Sequence, residues 1–116
     1  MRHIDHIILE RAKQLVEQGW VQGRQAETKW GTNCSPMSKE AVRFCMGGAV
    51  VRAAAEIFGE TDLNKISSAE ARVRRLLKAA NSEIGFGIFY RNTIERFNDR
   101  ATKKEVLAAF DKALMF

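Results

Sequence analysis

Proline is nearly absent from this sequence. Pro36 is the single one, and with only eight glycines the composition leaves nothing for a long flexible linker or a disordered tract. Apolar runs of the ~20 residues needed to span a bilayer are also missing, so no membrane association is expected. The first residues, "MRHIDHIILERAK", carry charges where a signal peptide would have its apolar core, which argues for a cytoplasmic protein. Cysteine is scarce: Cys34 and Cys45 are expected to stay reduced in that compartment. Histidine is limited to His3 and His6, and no paired C-x-x-C spacing accompanies them, so neither a metal site nor a cofactor is expected. Internal repeats and low-complexity tracts are lacking as well.

What remains is the profile of a soluble globular chain. Hydrophobic residues make up 46% and charged residues 28% of 116, enough for one modest core, and residues 1–116 are read as a single domain. The net charge of +5 permits an acidic partner without requiring one.

Helical periodicity dominates. Ile4, Ile8, Ala12, Leu15 and Val16 recur on one face of a first helix that stops at Gly19. Residues 20–37, "WVQGRQAETKWGTNCSPM", show no helical period. A short β-hairpin, Val21–Ala26 against Lys29–Thr32, is the reading that fits so long a connection. Ser38 is placed to cap a second helix running to Phe58 and ending at Gly59. Ser67 and Glu70 form a capping box that opens a third, with Ala69, Val73, Leu76, Leu77 and Ala80 inward and Arg72, Arg74, Arg75 and Lys78 outward. A break at Gly85–Gly87 precedes a short helix from Ile88 to Phe97. Thr102 and Glu105 form a second capping box, opening a last helix that buries Val106, Leu107, Phe110 and Leu114. The expected fold is a mostly α, single-domain bundle of four to five helices with one short β-hairpin in residues 20–37.

One feature of the second helix is costly. Gly47 and Gly48 sit together inside "VRFCMGGAVVRAAAEIF", where each glycine disfavours helix by roughly 1 kcal/mol relative to alanine. Close packing against the pair, by Trp20, Trp30 or a late phenylalanine, is the plainer compensation; a ligand pocket beside Cys45 is the sharper one. Small apolar residues in central helices are mostly core, which favours packing.

Three segments, "LVEQGWVQG" (15–23), "RFCMGGAVVRA" (43–53) and "FNDRATKKEVLAAFDKAL" (97–114), occur in this order. The set resembles a family of uncharacterised small bacterial and phage proteins, a domain of unknown function. Its members carry a Gly-Trp helix end, a Phe/Trp-Cys-x-x-Gly-Ala helix and a Trp/Phe-Asn-Asp before a closing helix. On that resemblance Trp20, Gly23, Cys45, Gly48, Ala49, Asn98 and Asp99 correspond; Phe97 stands where Trp is commoner, and the motifs do not extend to residues 59–95. The resemblance implies a bacterial or phage origin and no activity.

Candidate chemistry is thin. Cys45, Asn98 and a histidine are the parts of a Cys-His-Asn nucleophile, but Cys45 lies on an apolar helix face, where thiols are mostly inert core. A cysteine-dependent enzyme is therefore the remote reading, and no catalytic residue is assigned. Asn98 and Asp99 suit backbone bonding near a turn, with Asn98 also able to brace the 20–37 loop. Together with Cys45, Gly47 and Gly48 they form a structural motif. Residues 66–104 carry nine basic and four acidic side chains, a surplus of five. That makes a nucleic-acid face of Arg72, Arg75, Lys78, Arg91, Arg96 and onward to Lys104 the alternative function, with Phe89 or Tyr90 available for stacking. The leading expectation is a small non-enzymatic binding or regulatory protein, a phage or mobile-element accessory acting by contact with a macromolecule. A protein partner ranks ahead of a nucleic acid, with Trp20 and Trp30 as anchors.

Overall fold

The computed structural model describes residues 3–85 and 93–116. In chain order its elements are α1 (Ile4–Gln18), β1 (Ala26–Glu27), β2 (Arg43–Phe44), α2 (Met46–Phe58), α3 (Leu63–Ala80), a 3-10 turn (Ser82–Ile84), α4 (Thr93–Arg100) and α5 (Lys103–Met115). The protein is thus mostly α with a small two-stranded antiparallel sheet. No helix among the described residues is long and apolar enough to cross a membrane.

α1 forms as its periodicity predicts, burying Ile8, Leu9, Ala12, Leu15 and Val16. The His3 ring caps it, Nδ1 accepting from the Asp5 amide at 3.1 Å. Gly19 ends the helix in an extended conformation, φ −170°, so a left-handed turn is not why glycine stands there. The reason is proximity: a Cβ would lie 2.8 Å from Arg43 Cγ and nearer still to the Val42 carbonyl oxygen. The chain leaving α1 runs beside β2, with the Phe44 amide donating to the Gly19 carbonyl at 3.0 Å.

β1 pairs antiparallel with β2 in the register Ala26↔Phe44 and Glu27↔Arg43. A local antiparallel bridge, Glu27↔Asn33, closes the turn between them. The expected hairpin partner, Lys29–Thr32, forms the tip of that turn, and the pairing strand comes instead from Arg43–Phe44. This displaces the start of the second helix. Ser38 does not cap it: the Ser38 hydroxyl accepts from the Glu40 amide and holds a turn. Residues 43–44 are strand, and Cys45 caps α2, its sulfur accepting from the Gly48 amide at 3.3 Å.

α3 also begins earlier than Ser67. Asp62 caps it, accepting from the Lys65 amide, and Ile66 joins Ala69, Val73 and Leu77 in the buried stripe. Ser67 and Glu70 lie inside the helix. Residues 88–92, the expected start of the fourth helix, lie outside the described residues; α4 runs on past Phe97 to Arg100. The Thr102–Glu105 capping box of α5 is complete in both directions.

α1 packs on α2, α3 and α5, and α2 packs on α3 and α4. The centre holds fully buried Ile8, Val16, Val50, Val73, Val106 and Phe110, each removed from water at a gain of about 1.5–3 kcal/mol. Asn81, also fully buried, donates to the Leu77 and Ala109 carbonyls and ties the end of α3 to α5. On the surface Glu56 accepts both Arg11 Nε and Nη2, joining α2 to α1, and that guanidinium holds its carboxyl below the usual range.

Candidate functional site

Three regions bear on function: a buried junction at Asn98, the turn carrying Trp30, and the cationic side of α3 and α4.

At the junction, Asn98 is wholly buried and its side chain makes four hydrogen bonds. Its Oδ1 accepts from Trp20 Nε1 at 2.8 Å and from the Met46 amide at 3.0 Å; its Nδ2 donates to the Val21 carbonyl at 3.0 Å and to Asp99 Oδ1 at 3.4 Å. Asp99 Oδ1 accepts from the Gly23 amide at 2.8 Å. Gln22 Nε2 reaches the carbonyls of Asn98, Asp99 and Ala101, which the end of α4 leaves open. The segment leaving α1, the start of α2 and the end of α4 are thereby joined at one side chain. Trp20 is half-buried and engaged here, not free as an anchor.

Gly47 and Gly48 lie in the first turn of α2, not its middle, where the helical penalty is smaller. Their neighbours are not aromatic. Gly48 receives the Gln25 backbone, whose carbonyl accepts from the Cys45 amide at 3.0 Å. Gly47 faces Arg74, whose guanidinium bonds Glu70 at 2.9 Å and Glu95 at 2.6 Å. Beside them a cleft of about 130 Å³ is lined by Gly23, Arg24, Gln25, Cys45, Glu95 and Asp99.

Cys45 shares that cleft but is buried. Burial pushes its thiol pKa up, with the Glu95 carboxylate adding to the rise against the pull of the Gly48 amide. A thiol held protonated is the reverse of an activated nucleophile. Thiol titration of the folded protein is expected to label half-buried Cys34 first and to reach Cys45 only on unfolding. Rapid labelling of Cys45 at neutral pH would show the cleft to be open and the thiol reactive. Among the described residues no group of three His, Cys, Asp or Glu side chains is placed to hold a metal ion.

The turn presents the opposite character. Thr28 organises it: its hydroxyl accepts from the Trp30 and Thr32 amides, its amide donates to the Thr32 carbonyl, and its carbonyl accepts from Gly31 and from Arg43 Nη2. Gly31 adopts φ +79°, the left-handed conformation such a turn requires. From this frame Trp30 projects with 80% of its surface exposed. The Lys29 ammonium sits 4.9 Å from the ring centroid, and Arg24 donates to the Gly31 carbonyl.

The cationic face is less open than its sequence suggests. Arg72 is not free in solvent: it forks onto the buried Asp5 carboxylate of α1 at 3.2 Å. Arg74 is held between Glu70 and Glu95. Arg75 and Arg96 are exposed and Lys78 half-buried; Arg91, Phe89 and Tyr90 lie outside the described residues. Arg100 donates to the Glu83 carbonyl and Lys103 to the Glu17 carbonyl. Sequence periodicity finds the helix face but not the carboxylates that meet it, because Asp5 is 67 positions away. It also passes over Lys29 and Arg24 as companions of Trp30.

The chain belongs to DUF6197, a family of unknown function whose model matches residues 4–114. No curated protein and no solved structure matches it.

Proposed function

We propose that this is a small non-enzymatic binding protein that acts by stoichiometric contact with a macromolecule, and that the Trp30 turn is its contact surface. The observation that carries this reading is a large ring exposed on a turn already fixed by hydrogen bonds. Such a group needs little further ordering on binding, and tryptophan is among the side chains that dominate contact energies. The buried thiol supports a non-enzymatic role, and the two free cysteines support a cytoplasmic one. The resemblance to small bacterial and phage proteins supports an accessory role in such a setting.

Contact through the Trp30 turn ranks ahead of a nucleic acid laid across the Arg72–Lys104 face. Arg72 and Arg74 already neutralise internal carboxylates, and detaching Arg72 would leave Asp5 buried without its partner.

A photo-crosslinking residue at position 30, with Lys104 as a control position, tests the contact surface in cells that make the protein. Discrete adducts at 30 and none at 104 are expected. Adducts confined to position 104, or none at either, would overturn the reading. Trp30→Ala is expected to leave stability within ~0.5 kcal/mol of the parent, as surface changes do, so that lost contact is not lost folding.

A further inference from the structure

The same turn indicates what kind of partner it fits, on the reading that it is the contact surface. We infer that the Trp30 turn binds single-stranded nucleic acid, an unpaired base stacking on the indole and the adjoining phosphates meeting Lys29 and Arg24. Lys29 lies over the ring, and two further cations hold the turn, Arg24 and Arg43 donating to the Gly31 and Thr28 carbonyls while sharing the Glu27 carboxylate. Lys29 has no carboxylate partner among the described residues.

That placement discriminates between partners. Seating Trp30 in an apolar protein recess would carry the Lys29 ammonium in with it, and burying an unpaired charge is strongly unfavourable. A strand asks for no such burial. A base covers the bare part of the ring while the ammonium stays in water beside a phosphate, the combination of stacking and charge that sequence-tolerant single-strand binders use. A ring this exposed suits an unpaired base better than a duplex whose bases are already stacked. A net charge of +5 on the whole chain acts in the same direction.

The test is titration of the intact protein with poly(U) and oligo(dT), read by tryptophan fluorescence and by anisotropy of labelled strands, at low and near-physiological salt. Quenching is expected, because Trp20 is half-buried on Asn98 and Trp30 is the indole a base can reach. Trp30→Ala is expected to weaken binding about tenfold or more, and Trp30→Phe to retain most affinity with little quenching. Lys29→Gln should lower the slope of log affinity against log salt by about 0.7, one phosphate contact. Duplex of the same length should bind more weakly. Absence of quenching at low salt, or equal affinity for Trp30→Ala, would overturn the inference. Protein adducts at position 30 without oligonucleotide binding would overturn the nucleic-acid assignment alone; absence of both would remove the contact surface as well.

Discussion

Gly48→Val is expected to destabilise the protein by about 3 kcal/mol or more, lowering Tm by roughly 10 °C. A Cβ at position 48 would stand 2.8 Å from the Gln25 carbonyl carbon and closer to its oxygen. The obstacle is backbone, and it has nowhere to go: the Gln25 carbonyl accepts from the Cys45 amide, and the next residue, Ala26, is already in β1. The first turn of α2 would have to move away from the sheet, opening the buried environment of Cys45. Gly47→Ala is the informative contrast. There the Cβ meets the ends of Glu95 and Arg74, at 2.7 and 2.8 Å, which can shift by rotamer. A loss below about 1.5 kcal/mol is expected, partly offset by alanine's better helix propensity. Urea unfolding of the two variants side by side checks this, and a Gly48→Val protein as stable as the parent would refute the close approach.

Asn98→Leu is expected to cost about 4 kcal/mol or more, a large part of the stability of a domain this size. Leucine fills similar space but leaves Trp20 Nε1, the Met46 amide and the Val21 carbonyl without their partner, and a buried polar group left unpaired costs about 1–3 kcal/mol each. Asn98→Asp keeps the shape and removes the donor. A carboxylate still accepts from Trp20 and Met46 but turns its second oxygen on the Val21 carbonyl and the Asp99 carboxylate in a wholly buried site, so a loss at least as large as that of Asn98→Leu is expected at neutral pH. Denaturant midpoints, with Trp20 emission as the local reporter, give both numbers. An Asn98→Leu protein as stable as the parent would mean that Asn98 acts by volume alone.

How much of this was legible depends on the range of the interaction concerned. α1 and α5 could be read directly, because apolar period, Gly19 and the Thr102–Glu105 box all lie within a turn or two of what they control. The start of α2 could not. Val42, Cys45, Met46 and Ala49 fit a helical period, yet Arg43 and Phe44 are drawn into a strand by Glu27 and Ala26, sixteen and eighteen positions earlier. At α3 the Ser67–Glu70 box pointed to a later start than the one Asp62 caps. Ile66 was the available hint, since it extends the buried stripe one turn upstream of Ala69. The pairing of Arg72 and Arg74 was hidden for the same reason as the start of α2: periodicity shows which side of a helix is polar, not which carboxylates another element brings to it. Asn98 was legible as a bonding residue and as a brace for the loop after α1, but its hold on the Met46 amide was not.

The reach of Asn98 also orders events in time. Its bonds to Trp20, Val21 and Met46 close loops spanning 78, 77 and 52 positions. Loop-closure entropy of that kind is met before the contact returns anything, so contacts of this range form late compared with helix turns. Local helix turns are therefore expected ahead of the junction, which belongs with the other long-range contacts such as the packing of α1 on α5. If the junction closes after the rate-limiting step, weakening Asn98 is expected to raise the unfolding rate and leave the refolding rate nearly unchanged, which denaturant-dependent rates would read. On that outcome the asparagine is a latch between the segment after α1, the start of α2 and the end of α4, setting how long the native state lasts once it has formed.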